Sequence, residues 1–269
     1  MLRSTNPQGR TGGVEPVVLA RREDAALRLF AFPHAGGNHT AFRDWPAGLP
    51  DDVEVVSYAL PGRVPRRKEP PYERLADLAD DLVAMVARHD DGAPFVFFGH
   101  SFGALVAFEV CRRLVGRGGR YPGLLAVSAH RAPHLPPDRP AHLLPREGIL
   151  DRVRSWGLIP EEFLRDEELL DLVLPPLRAD LRLDEGYTRP PGGPLPVPGV
   201  IYGGSHDRTV TPGELRAWRD HFADDPHVET FPGGHFYTVD SRQALLASLT
   251  RVSDRLRATA GPVDRRHRR

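Results

Sequence analysis

One serine in this chain sits where a hydroxyl can be made reactive. Gly99-His100-Ser101-Phe102-Gly103 reads G-x-S-x-G, follows the apolar run 94–98 and opens a helical stretch at 102–114. A strand–turn–helix of this kind lifts the central serine above the carboxyl edge of a sheet, provided that the flanking residues are small enough for a very tight turn. A serine hydroxyl is a weak nucleophile at neutral pH, so it requires a general base, and the base requires an orienting carboxylate. In the chain order that goes with this turn, the acid comes next and the histidine last. Asp207 lies in the loop Gly203-Gly204-Ser205-His206-Asp207-Arg208 after the run 199–202, and His235 lies in Pro232-Gly233-Gly234-His235-Phe236 after the run 228–231. Each of the three therefore falls just past a strand, on one predicted sheet edge.

Other candidates fit less well. The segment Ser128-Ala129-His130-Arg131 offers no carboxylate one strand earlier, and Asp138 already belongs to a proline-rich stretch. His221 falls inside a helical pattern, His267 in the C-terminal tail, and His227 before its strand. His206 reads as a loop residue, and His100 as a wall or packing residue at the variable position of the turn. The reaction also requires two fixed N–H donors where negative charge develops on a carbonyl oxygen. One is the backbone of the residue after the serine, Phe102; the other is expected from the glycine-containing loop Phe32-Pro33-His34-Ala35-Gly36-Gly37.

The elements that must position these residues are legible as alternating short apolar runs and longer helical patterns. Strands are expected at 27–32, 54–59, 94–98, 124–129, 199–202 and 228–231, apolar on both parities and hence covered on both faces. Helices are expected at 72–88, 102–114, 212–222 and 242–256. This alternation predicts an α/β fold, a mostly parallel central sheet with helices on both faces. About 65 residues separate the strand ending near His130 from the one starting near Gly199, far more than a crossover requires. The insertion, about 131–198, has proline-rich ends and a leucine-rich helical middle at 149–183, and is expected to act as a lid or binding wall. The expected organisation is a flexible N-terminus at 1–13, one domain at 14–260 and a short basic C-terminal tail at 261–269.

Composition narrows the field further. Lysine plus arginine equals aspartate plus glutamate, 36 each, which argues against a nucleic-acid binder and a polybasic membrane anchor. The start of the chain lacks an apolar signal-peptide region, and no apolar run approaches the roughly 18 residues of a spanning helix, so a cytoplasmic protein is expected. The single cysteine, Cys111, reads as a packing residue of the helix after the serine turn. Phosphate-loop, dinucleotide-binding and H-E-x-x-H patterns are missing, as is any metal-ligand cluster, so no metal and no cofactor is expected.

Several segments together carry a resemblance. Phe32-Pro33-His34-Ala35-Gly36-Gly37, Pro61-Gly62-Arg63, Gly99-His100-Ser101-Phe102-Gly103-Ala104, Arg131-Ala132-Pro133 and Gly233-Gly234-His235-Phe236 resemble the type II thioesterases, stand-alone members of the α/β-hydrolase superfamily that serve polyketide synthases and nonribosomal peptide synthetases. The segment 172–187, with Leu177-Arg178-Ala179-Asp180 inside it, is similar to that family's lid. The resemblance implies hydrolysis of acyl groups carried as thioesters on the phosphopantetheine arm of acyl or peptidyl carrier proteins, in an editing role. It places the nucleophile on Ser101, the acid on Asp207, the base on His235 and the oxyanion donors on the backbone of Ala35 and Phe102. The reaction it implies needs no cofactor, and a monomer is expected. A small-molecule carboxylesterase or lactonase on the same fold is the competing enzyme reading, and a catalytically silent binding protein is the third. Arg63, Arg66, Arg67 and Lys68 form a local basic cluster that would suit an acidic carrier, although a solvated loop fits the same residues.

Overall fold

The structure, a computed structural model, describes residues 13–259 apart from 23, 138–139, 158 and 160. The expected N-terminal segment up to residue 12 and the tail from 260 onward lie outside the described residues. The strands are β1 (Glu15–Ala20), β2 (Leu27–Phe32), β3 (Val53–Ala59), β4 (Phe95–His100), β5 (Leu124–Ser128), β6 (Gly199–Gly204) and β7 (His227–Phe231). They form one sheet in the order β1-β3-β2-β4-β5-β6-β7, parallel throughout except for the antiparallel β1 at one edge. The helices are α1 (Leu75–Arg88), α2 (Phe102–Gly116), α3 (Arg146–Trp156), α4 (Glu167–Glu185), α5 (Pro212–Arg216), α6 (Tyr237–Asp240) and α7 (Arg242–Thr259).

The inner strands β2 to β6 earn their place by being apolar on both sides, whereas the edge strands β1 and β7 are only partly covered, so the run expected at 228–231 is not buried on both faces as predicted. In β4, Phe95 and Phe97 enter the core beneath α1 and α2, whereas Val96 and Phe98 enter the opposite core beneath α7. Side chains alternate along a strand, so a fully apolar run can serve two layers at once. Each buried phenylalanine contributes about 1.5–3 kcal/mol. On one face, Leu78, Leu82 and Met85 of α1 share a core with Phe30 and Phe32; on the other, Leu245, Leu246 and Leu249 of α7 share one with Phe42 and Trp45. Among the described residues, no helix is long and apolar enough to cross a membrane.

Topology fixes where a site can form. The chain builds β2 and β3 outward in one direction, then crosses back to place β4 on the other side of β2. The loops leaving β2 and β4 therefore diverge at their carboxyl ends and open a crevice, the usual ligand position in an open α/β sheet. The first of these loops is 33–37, and the second is the turn around Ser101.

The expected strands and helices appear with ends shifted by a few residues, with three differences, the first being the short α6, which lies outside the expected set. Strand β1 has no counterpart in the expected set: its residues are only partly covered, so it lacks the doubly apolar signature. The helix expected at 212–222 is two pieces, α5 followed by a 3-10 turn at Ala217–His221. Between β5 and β6 the insertion folds as α3 and the long α4 with short 3-10 turns. Helix α4 carries Pro175 and Pro176 in its interior.

Candidate active site

The turn after β4 is built from steric necessity. Ser101 has φ 54° and ψ −128°, a backbone conformation that L-residues adopt only at a cost of about 1–3 kcal/mol. A Cβ on Gly99 would stand 2.1 Å from the carbonyl oxygen of Gly103, and one on Gly103 would stand 2.0 Å from that of Phe32. Glycine at both positions is thus the condition for α2 to start directly behind the serine. Ser101 N–H donates to the Ser128 carbonyl at 2.8 Å, tying the turn to the end of β5. The N–H of Phe102, first residue of α2, belongs to the helix turn whose N–H groups have no intrahelical acceptor.

The acid and histidine loops are joined through backbone. Ser205 N–H donates to Phe231 O at 2.8 Å and His206 N–H to Gly233 O at 2.9 Å. A Cβ on Gly204 would stand 2.2 Å from Gly234 O, so the loops cross in contact. Their side chains then meet the serine. The Ser101 hydroxyl lies 3.0 Å from His235 Nε2, and His235 Nδ1 lies 2.9 Å from Asp207 Oδ2. The Asp207 side chain is 1% exposed and that of His235 10%, so this hydrogen-bonded pair is screened from bulk water. The three residues picked from the sequence therefore converge.

Thr209 was not among those residues, yet it joins the same chain of hydrogen bonds. Its N–H and its hydroxyl each donate to Asp207 Oδ1 at 2.7 Å, and its Oγ1 stands 2.8 Å from His235 Nδ1. With its proton committed to Asp207, the hydroxyl offers a lone pair to the imidazole N–H beside the carboxylate. Burial alone would raise the Asp207 carboxyl, but the His235 hydrogen bond and charge, with the Thr209 bonds, outweigh it and hold the group below the ordinary carboxylate range. The sequence signal was an Asp followed two residues later by Thr, a spacing at which a carboxylate can accept from a nearby backbone N–H.

Two further histidines pack around His235. Burial, with the charges of His235 and Arg63 nearby, lowers His34 to about 4, and burial also lowers His100 well below its ordinary value. His100 Nδ1 lies 2.9 Å from Ser128 Oγ, which is 2.6 Å from the Tyr237 hydroxyl. The two imidazoles are therefore neutral walls, as expected of His100. His206 is an exposed loop residue, and His221 is buried with its Nε2 2.7 Å from His134 Nδ1. Cys111 is fully buried, and burial pushes its thiol well above the ordinary range. Among the described residues, no group of three or more His, Cys, Asp or Glu side chains is arranged to hold a metal ion.

A cavity of about 360 Å3 opens over the serine. Its floor is the sheet edge, with His34, Ala35, Ser101, Phe102 and His235, and its roof is the insertion, with Trp156, Leu177 and Leu181. The expected basic cluster requires correction. Arg63 is buried and ion-paired with Asp180, and Arg66 is buried between Glu69 at 2.6 Å and Glu15 at 3.4 Å. Arg67 and Lys68 alone of the four are exposed, because the proline-flanked loop folds its other two guanidinium groups inward to satisfy carboxylates and carbonyls.

A strand-edge serine elbow beneath a helical insertion on this sheet defines an α/β-hydrolase. A family model of the thioesterase domain matches residues 27–252, so the chain belongs to that family. It is 38% identical over 243 residues to thioesterase PikA5 of Streptomyces venezuelae, covering 90% of this chain and 85% of the relative. It is 36% identical over 223 residues to the gramicidin S biosynthesis protein GrsT of Aneurinibacillus migulanus, covering 82% and 87%. The solved structure of the type II thioesterase BorB from the borrelidin biosynthetic cluster superposes with a TM-score of 0.80 at 34% identity, over 88% of this chain and 96% of that one. The chain is a type II thioesterase.

Proposed function

We propose that this thioesterase hydrolyses acyl groups held on the phosphopantetheine arm of carrier proteins, through Ser101 as nucleophile, His235 as base and Asp207 as its orienting acid. The observation that carries the reading is the position of His235, which bridges the Ser101 hydroxyl and the Asp207 carboxylate at 3.0 and 2.9 Å. His235 Nε2 takes the Ser101 proton as the oxygen attacks the thioester carbonyl. The oxyanion is received by the N–H groups of Ala35 and Phe102, which line the cavity beside the serine. Collapse expels the thiolate, which accepts the His235 proton and leaves as the free thiol of the carrier arm. His235 then deprotonates a water, which attacks the acyl-serine, and the proton passes back to Ser101 Oγ as the acid is released. No diffusible cofactor enters this sequence.

The carrier-bound substrate is supported by the relatives, one a gramicidin S biosynthesis protein and another a type II thioesterase from a biosynthetic cluster. The role that follows is editing: removal of stalled or aberrant acyl units from a polyketide or nonribosomal peptide assembly line. The insertion at 131–198 serves as the lid that bounds the acyl group. The test compares one acyl group presented as a carrier thioester and as a simple oxygen ester. The expected result is a kcat/KM at least 100-fold higher for the carrier thioester. Equal or better turnover of the oxygen ester would replace this reading with a small-molecule esterase.

A further inference from the structure

Asp180 lies on the lid helix α4, 144 residues along the chain from Gly36 and 117 from Arg63, yet it meets both. Its Oδ2 accepts the Gly36 N–H at 2.7 Å and also accepts from the Arg63 guanidinium. Arg63 in turn donates from Nε to the Gly37 carbonyl at 2.7 Å and from Nη1 to the Pro61 carbonyl at 3.3 Å. Both side chains are about 95% buried. The segment held by these bonds is a turn closed by Gly37 N–H donating to His34 O at 2.9 Å, with Gly36 at φ +73°. A positive φ at the third position of a four-residue turn is the type II pattern. Ala35 occupies the second position of that turn. The approach is close: a Cβ on Gly36 would stand 3.1 Å from Leu177 Cβ on the same helix.

We propose that Asp180 and Arg63 are positioning residues that set the oxyanion loop, so that the Ala35 N–H is aimed only while the second half of the lid helix is seated on it. The inference rests on the reading of Ala35 as an oxyanion donor. Turns of this kind exchange conformation by rotating the central peptide plane about Ala35 ψ and Gly36 φ; the Gly36 N–H belongs to that plane, and the Ala35 N–H to the peptide hinged to it at the Ala35 Cα. Fixing it against a buried carboxylate removes the alternative orientation before substrate arrives, which is the preorganisation that makes such donors effective. The carboxylate cannot act alone, because an unpaired negative charge beside the loop would oppose a developing oxyanion. Arg63 neutralises it and holds the next carbonyl of the same turn. The Leu177-Arg178-Ala179-Asp180 segment thus couples lid placement to the chemistry below.

The test uses the full chain with Asp180→Ala, Asp180→Asn and Arg63→Gln, each checked for folding by thermal unfolding. Two probes share one acyl chain: a trifluoromethyl ketone, which forms a tetrahedral adduct on the serine, and a thioether, which cannot. For Asp180→Ala the expected result is a kcat about 100-fold lower with KM within threefold, the size of effect seen on removing one oxyanion donor. Affinity for the ketone should fall with kcat/KM, and affinity for the thioether should hold. Asp180→Asn keeps an acceptor for Gly36 and should lose about tenfold; it carries the test if the alanine variant does not fold. Arg63→Gln, which leaves the carboxylate uncompensated, should lose more than Asp180→Asn. Folded variants whose kcat stays within twofold, or whose affinity for both probes falls equally, would overturn the inference. An active Ser101→Ala protein would instead remove the acyl-enzyme reading itself, whatever Asp180 does.

Discussion

The rim of the sheet and the lid above it are held by different forces. At the rim, the serine turn, the acid loop and the histidine loop are fixed by backbone in contact with backbone, with glycine wherever a Cβ would collide. In the lid, the inward face of α4 presents carboxylates. Asp180 meets Arg63 and the Gly36 N–H, Asp184 meets His130 at 2.9 Å, and Glu185 accepts from the Ala141 N–H at 2.7 Å and from His142. Arg178 of the same helix donates to the carbonyls of His142 and Leu144. A steric arrangement does not vary with pH, whereas a set of buried ion pairs does. The loops that carry Ser101, Asp207 and His235 are therefore rigid by construction, while the cover, and the 34–37 loop fastened to it, can be reshaped by changing single charged residues.

The largest effect expected at the rim is on activity. His235→Ala should fold normally and lower kcat by about 10^4-fold or more, because the serine then lacks its base. Steady-state turnover of an acyl-carrier thioester measures it, and loss of less than tenfold would show that another group does the work. Gly103→Ala should act instead on the frame. Its Cβ would meet the Phe32 carbonyl at 2.0 Å, so the strand and helix must part, at a cost of about 3 kcal/mol. Denaturant unfolding reads this directly, and a change below about 1 kcal/mol would mean that the elbow is less tight than described.

A smaller effect sharpens the contrast through pH. Burial lowers His221, where an insertion residue meets the body of the domain, to about 4, and His34 likewise. An unfolded histidine binds its proton near pH 6.5, and the folded one refuses it until about pH 4. Stability from these groups is thus complete above about 6.5 and is lost as pH falls toward 4. Asp184 continues the trend at lower pH. Burial would raise its carboxyl, but His130 and Arg131 outweigh this and hold it below the ordinary range, so its contribution is lost as it protonates in acid. The melting temperature should fall steadily below pH 6.5, and His221→Leu should flatten the slope. An unchanged slope would remove His221 from the account.

The smallest effect belongs to the exposed pair Arg67 and Lys68. Replacing both by alanine should leave kcat and stability within about 0.5 kcal/mol of wild type, as for most surface changes. At low salt, KM for an acyl-carrier should rise a few-fold, while KM for a small thioester lacking the carrier should not move. A rise for both substrates would argue against an electrostatic contact with the carrier.

This contrast also explains what the sequence made legible. Ser101 and Asp207 could be picked out because each follows a short apolar strand, and His235 because Val228 and Phe231 mark the shorter, partly exposed strand before it. The glycines at 99 and 103 announced their steric role for the same reason. The lid was visible only as a long interval with helical leucines. Its fastenings join residues such as Asp180 and Arg63, which are far apart in sequence, and no local pattern distinguishes an arginine that folds inward from one that stays in water. That is why Arg63 and Arg66 read as part of a basic rim before the structure buried them. Strand β1 escaped because an edge strand with partly exposed residues lacks the doubly apolar pattern.

Labelling with a fluorophosphonate bearing a short acyl-like chain, followed by peptide mapping, addresses the proton relay most directly. Modification should fall on Ser101 alone, proceed rapidly in the wild type, and slow by at least 100-fold in His235→Ala. Equal rates in the two proteins, or a label on another residue, would contradict the assignment of Ser101 and His235 as nucleophile and base.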